Sequence, residues 1–104
     1  MPPVARGEGG DGVFSLTGSG RRCQSPINTV TGECSNNVFV NNKGIIRQGD
    51  KVGVHNASGC STDQSGLTTF SGSVFANNLE IARIGDEYTS DNVITSGSSN
   101  VFAA

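Results

Sequence analysis

Short apolar runs, each broken after a few positions by Asn, Gly or Asp, recur along the 104-residue chain. Two of them are copies of one another. Val38-Phe39-Val40-Asn41-Asn42-Lys43-Gly44-Ile45-Ile46-Arg47-Gln48-Gly49-Asp50 returns as Val74-Phe75-Ala76-Asn77-Asn78-Leu79-Glu80-Ile81-Ala82-Arg83-Ile84-Gly85-Asp86, with identity at eight of thirteen positions. An internal repeat of this quality governs the whole reading of the chain. Within each copy, Val, Phe and Ile suit a pleated, half-buried surface, and the paired Asn tolerate the positive φ of a tight turn. The closing Gly-Asp stops the second strand and begins a turn. Each copy therefore predicts a β-hairpin. Leu79-Glu80-Ile81-Ala82-Arg83 taken alone also suits a short helix, but the matching Lys43-Gly44-Ile45-Ile46 does not, and a shared shape favours strand.

Both ends of the chain carry half of the same pattern. Val4-Ala5-Arg6 lines up with Ile45-Ile46-Arg47 and Ile81-Ala82-Arg83, and Ser98-Ser99-Asn100-Val101-Phe102-Ala103 lines up with Ser73-Val74-Phe75-Ala76. A second half at residues 3–6 and a first half at residues 98–103 predict a third module, closed by the two termini. The expectation is one domain over residues 1–104, with full modules at 38–50 and 74–86 and a pseudo-threefold arrangement.

Composition sharpens this picture. Charged residues are 15% of the chain, aromatics 6%, and there is no Trp. Fifteen Gly with abundant Ser and Asn favour turns and short strands over helix. A domain this small buries a modest fraction of its surface, so a metal, disulfide or partner is expected to support it. A net charge of −2, with no basic cluster beyond Arg21-Arg22, argues against nucleic acid as partner. No apolar run approaches the length of a membrane span, and no leader precedes the modules, so synthesis in the cytoplasm is expected.

Three loops leave the modules at equivalent points, each after an Arg-containing strand. Residues 7–35 form the first, 51–72 the second and 87–98 the third. Gly7, Gly9 and Gly12 satisfy G-x-G-x-x-G, but Val13-Phe14-Ser15-Leu16-Thr17-Gly18 does not read as the helix that a nucleotide site requires. Around a threefold axis the loops would gather at one end and bring His55 and the cysteines together. Cys23, Cys34, Cys60 and His55 form a three-Cys, one-His set of the kind that holds structural zinc in a tetrahedral site. Iron is also compatible with these ligand types. Three cysteines cannot all pair, and a Cys23–Cys34 disulfide would be disfavoured in a reducing compartment.

The pattern Val-Phe-(Val/Ala)-Asn-Asn-x-x-Ile-(Ile/Ala)-Arg-x-Gly-Asp, with the closing Gly-Ser-Ser-Asn-Val-Phe, resembles the PAAR-repeat proteins, the small phage-type members in particular. The resemblance runs from Pro3 to Ala103. It implies a conical all-β fold of short hairpins that caps a trimeric β-helical spike, one copy per trimer. It also implies a metal near the apex held by His and Cys of the loops, and a role in piercing an outer membrane at the tip of a contractile phage tail. A type VI secretion spike is the related alternative, and a metal-free β-rich binding or adhesion module is the rival of another class. His55 with Gly59-Cys60, and Cys23 in the first loop, match the family's ligand positions. The family more often uses several His, and the third loop has neither His nor Cys. The fourth ligand is therefore taken as Cys34, ahead of Asp63 or Asp91.

Catalysis is not expected. No carboxylate stands beside His55 as a general base, and no nucleophile motif accompanies it. Asp50 and Asp86, like Arg47 and Arg83, are repeat-related and so read as structural. Asn56-Ala57-Ser58 is a formal glycosylation sequon without meaning outside a secretory route. On its own the protein is expected to be a monomer.

Overall fold

A computed structural model describes residues 1–15, 27–53, 66–88 and 92–104. These contain eight short strands and no helix: β1 (Gly12–Ser15), β2 (Ile27–Val30), β3 (Phe39–Val40), β4 (Lys43–Gly44), β5 (Phe75–Ala76), β6 (Leu79–Glu80), β7 (Glu87–Tyr88) and β8 (Asn92–Ile94). The protein is all-β. Leu79-Glu80, the one stretch with helical leanings, forms β6 because its partner across the turn is Phe75-Ala76.

Each full repeat is a two-stranded hairpin. Strand β3 pairs with β4 through Phe39↔Gly44, and β5 pairs with β6 through Phe75↔Glu80. Both turns are Asn-Asn, with φ of 52° and 67° at Asn41 and Asn42 and of 52° and 64° at Asn77 and Asn78. Two successive positive φ values match the twist of a hairpin, and Asn is among the few residues that adopt them cheaply.

The two termini pair in the same register. Pro3 faces Phe102 in a β-bridge, and the Val4 amide donates to the Val101 carbonyl at 2.9 Å. The corresponding bonds in the full repeats run from Ile45 to Val38 (2.9 Å) and from Ile81 to Val74 (3.1 Å). Three modules then join in a ring: Arg6 bridges Ile45, Arg47 bridges Ile81, and Arg83 bridges Val4. The amides of Gly7, Gln48 and Ile84 reinforce the same junctions by donating to Gly44, Glu80 and Pro3.

The ring separates two apolar clusters. Val4, Ile45 and Ile81 point into the first with Val40, Ala76 and Ala103. The next residues along the same strands, Ala5, Ile46 and Ala82, are fully buried in the second. One Ile beside two Ala fills the centre, where three large side chains would collide and three Ala would leave a void.

The second cluster is enclosed by the loop arms. After Asp11, Asp50 and Asp86 the chain turns into a new strand, and the three arms with their returns pair side by side. Strands run in the order β2-β1-β8-β7; Tyr88 of β7 then bridges Leu67, Lys51 bridges Gly66, and Val52 bridges Thr31 beside β2. Among the described residues that circuit closes on itself, which limits exposed strand backbone. Its inward residues are Val13, Val52, Tyr88, Leu67 and Ile94. The glycine-rich stretch at Gly7–Gly12 therefore leads into a strand, not the helix N-terminus that phosphate binding would need. The molecule measures 37 × 23 × 23 Å, with the two equal transverse dimensions that an axial arrangement produces.

Candidate functional site

Three sets of equivalent residues surround the axis, and each set has one job. The first is an Arg–Asp clamp. Arg47 donates from its backbone amide (2.8 Å) and Nε (3.0 Å) to Asp50 Oδ2, and from a terminal nitrogen to Oδ1 (3.1 Å). Arg83 and Asp86 repeat this at 2.7, 3.0 and 3.1 Å. Arg6 and Asp11 repeat it again at 2.6, 3.1 and 2.7 Å, although two extra residues separate them. Each carboxylate is buried and raises the pKa of its guanidinium, chiefly through these hydrogen bonds. The bidentate geometry fixes where each loop arm departs.

The second set is a buried serine. Ser35 Oγ accepts from the amides of Asn37 and Val38, Ser71 Oγ from Ser73 and Val74, and Ser98 Oγ from Asn100 and Val101. Each hydroxyl also donates to the next module round the ring: Ser35 to Asn77 Oδ1 (2.7 Å), Ser98 to Asn41 Oδ1 (2.6 Å) and Ser71 to the Ala104 carbonyl. These serines start each hairpin and tie it to its neighbour. A Ser-x-x-Val-Phe spacing, present three times, is the sequence signal for them.

The third set faces solvent. Phe39, Phe75 and Phe102 are 57%, 56% and 47% exposed, with Val74 and Val101 beside them at 37% each. Exposed Phe in isolation carries little meaning, but three at equivalent positions of a ring form a repeated apolar surface.

Of the four residues expected to bind metal, Cys23, His55 and Cys60 lie outside the described residues, as do Asp63 and Asp91. Cys34 is described, and its surroundings suit packing. It stands where the second module has Phe70 and the third has Gly97, and both Cys34 and Phe70 pack against the second apolar cluster. Two glycines make room for it: a Cβ on Gly7 would lie 2.6 Å from Cys34 Sγ, and one on Gly44 would lie 2.5 Å away. Burial, with the nearby Glu8 and Asp50 carboxylates, pushes the thiol pKa up. Among the described residues no group of three His, Cys, Asp or Glu is arranged to hold a metal.

Among the described residues the Tyr88 hydroxyl has no hydrogen-bond partner, and the residue is 1% exposed inside the closed circuit of strands. Burial, followed by the charges of Asp50, Cys34 and Asp11, pushes its pKa well above the ordinary value.

No protein-family model matches the chain, and no curated protein matches it.

Proposed function

We propose that the protein is a structural cap that seats on the end of a trimeric β-helical spike, one copy per trimer, and forms its membrane-piercing tip. The observation that carries this reading is the set of three equivalent exposed phenylalanines around a closed ring. A single chain with three near-identical faces is suited to a partner with three identical ones, because each partner chain meets one module. The Arg–Asp clamps and the closed circuit of strands among the described residues supply the rigidity that such a tip needs. A contractile phage tail is the proposed setting, with the protein made in the host cytoplasm and carried in the virion; a type VI secretion spike uses the same arrangement.

The cap reading includes one structural metal ion, zinc by ligand type, held by residues drawn from Cys23, Cys34, Cys60 and His55. Its contribution would be to cross-link the loops, and structural zinc sites are worth on the order of 10 kcal/mol to folding. The function needs no catalytic residue.

The deciding experiment is the mass of the complex with the cognate spike protein, measured in solution. One cap per spike trimer is the expected result. Three caps per trimer, or no complex, would exclude the reading. Elemental analysis of protein never exposed to chelator tests the metal separately: about one ion per chain is expected, and a metal-free protein with an unchanged melting temperature would favour the metal-free binding module.

A further inference from the structure

We infer that the module built from the two ends of the chain is a latch: it opens while the other two modules stay folded, and its closing completes the docking face. The link to docking rests on the cap reading, whereas the opening itself is a property of the free protein. In the full repeats, Asn41-Asn42 and Asn77-Asn78 join the paired strands directly. In the third module the Ala103 amide donates to the Pro2 carbonyl at 3.1 Å, where Val40 pairs with Lys43 and Ala76 with Leu79. Ala104 and Met1 therefore stand where the others carry the two turn Asn. Whatever continues from either end, no turn ties these strands to one another. They are joined only through the rest of the chain, and the entropy of closing a loop grows with its length.

The links around the ring show the same weakness. Ser35 donates to Asn77 Oδ1, and Asn77 Nδ2 donates on to Asn37 Oδ1 at 3.0 Å. Ser98 donates to Asn41 Oδ1, and Asn41 Nδ2 donates on to Asn100 Oδ1 at 2.9 Å. Ser71 donates to the Ala104 carbonyl, but Ala104 has no side-chain amide to make the second bond. The tether of the latch is loose as well: Gly7, Glu8, Gly9 and Gly10 separate Arg6 from Asp11, and Gly9 has a φ of 77°. Opening takes Val4 and Ala103 out of the first cluster and Ala5 out of the second, and it displaces Phe102. Modules one and two keep their junction, through the Arg47–Ile81 bridge, the Gln48 amide on Glu80 and the Ser35–Asn77 link.

Native-state hydrogen exchange on the intact protein tests this with internal controls. The Val4 amide is equivalent to those of Ile45 and Ile81, and the Ser98 amide to those of Ser35 and Ser71. Val4 and Ser98 are expected to be about tenfold less protected than their counterparts, the effect of roughly one hydrogen bond. Joining residue 104 to residue 1 head to tail, with Ala104→Asn and Met1→Asn, should raise both to the level of the others. Equal protection of all three modules in the linear protein would overturn the inference, as would a folded, joined chain in which Val4 and Ser98 exchange as before. Should the joined chain fail to fold, the linear protein still decides. With the cognate spike protein in excess, Val4 and Ser98 should gain more protection than Ile45 and Ile81, because docking selects the closed ring. A complex without that extra gain would overturn the link to docking. Absence of any complex would count against the cap reading alone and leave the latch to the measurements on the free protein.

Discussion

At the scale of single residues, the repeat acts as an internal control, because the same position is occupied three ways in one molecule. Thr69 and Ser96 each accept from the amide that follows a clamp Asp, at 2.7 Å from Glu87 and 2.9 Å from Gly12. Each hydroxyl then donates to that Asp, to Asp86 at 3.2 Å and to Asp11 at 2.9 Å. Glu33 takes the third position and accepts from the Lys51 amide at 3.1 Å, but an ionised carboxylate has no proton to give Asp50. Glu33→Thr should restore the missing bond and raise stability by about 1 kcal/mol, read from denaturant midpoints. Tyr88 offers the converse case. Its equivalents are Val13 and Val52, and its hydroxyl is buried without a partner among the described residues. Tyr88→Phe should therefore be more stable at neutral pH by about 1 kcal/mol, since an unsatisfied buried group is removed. The variant also separates out a pH effect. Tyr88 has a raised pKa in the folded protein, against an ordinary value of 10.0, so folding favours the neutral phenol. That contribution is fully present below the ordinary value and is lost as pH rises past it, because the unfolded chain ionises first. Wild type should lose stability above pH 10 more steeply than Tyr88→Phe; parallel curves would show that the phenol is not the cause.

At the scale of elements, the hairpins draw their register from the Asn-Asn turns rather than from strand length, since no module strand exceeds two residues. Asn78 tests this cleanly, because its φ is 64° and its side chain takes no part in the Ser–Asn links. Asn78→Ala should cost about 1 kcal/mol, the penalty of placing Cβ in the left-handed region, while Asn78→Gly should be neutral. A neutral Ala variant would mean that the turn relaxes to another type. The same element explains what the chain made legible. Val-Phe, Asn-Asn and Arg-x-Gly-Asp recur at fixed spacing, so both hairpins, their turns and the pairing of the terminal halves follow from pattern and turn chemistry. Asp11 was hidden because two additional residues part it from Arg6, although the clamp they form is the same. The loop arms were hidden for another reason: Gly12–Ser15 and Asn92–Ile94 are strands only because each lies beside another arm, a long-range condition that a short window cannot express. The packing of Cys34 against the second apolar cluster, at the position Phe70 takes in the next module, was not legible either, because a count of thiols carries no information about their surroundings.

At the scale of the whole molecule, pseudo-symmetry has to reconcile two demands. The interior tolerates unequal residues, since Ile46 beside Ala5 and Ala82 fills the centre as well as three matched side chains would. The exterior repeats Phe at all three stations, each with about half of its surface left exposed. Identity is retained at the buried Asp and Ser of each module, where the clamps and hairpin starts demand it, and also at the exposed Phe, where the proposed threefold partner would supply the constraint. Replacing one Phe by Ser should remove one of three similar apolar contacts and weaken docking on the spike by about 1–2 kcal/mol, whichever Phe is chosen. The triple variant should fail to dock while still folding, at some cost in melting temperature because about half of each ring is already covered within the chain. Binding titrations with Phe39→Ser, Phe75→Ser and Phe102→Ser, each checked for a folded state, measure this directly. Three similar losses would establish that the modules act as equals. One large loss with two null variants would mean that a single face carries the contact, and the pseudo-threefold ring would then be a way of building a stiff small protein rather than a way of matching a trimer.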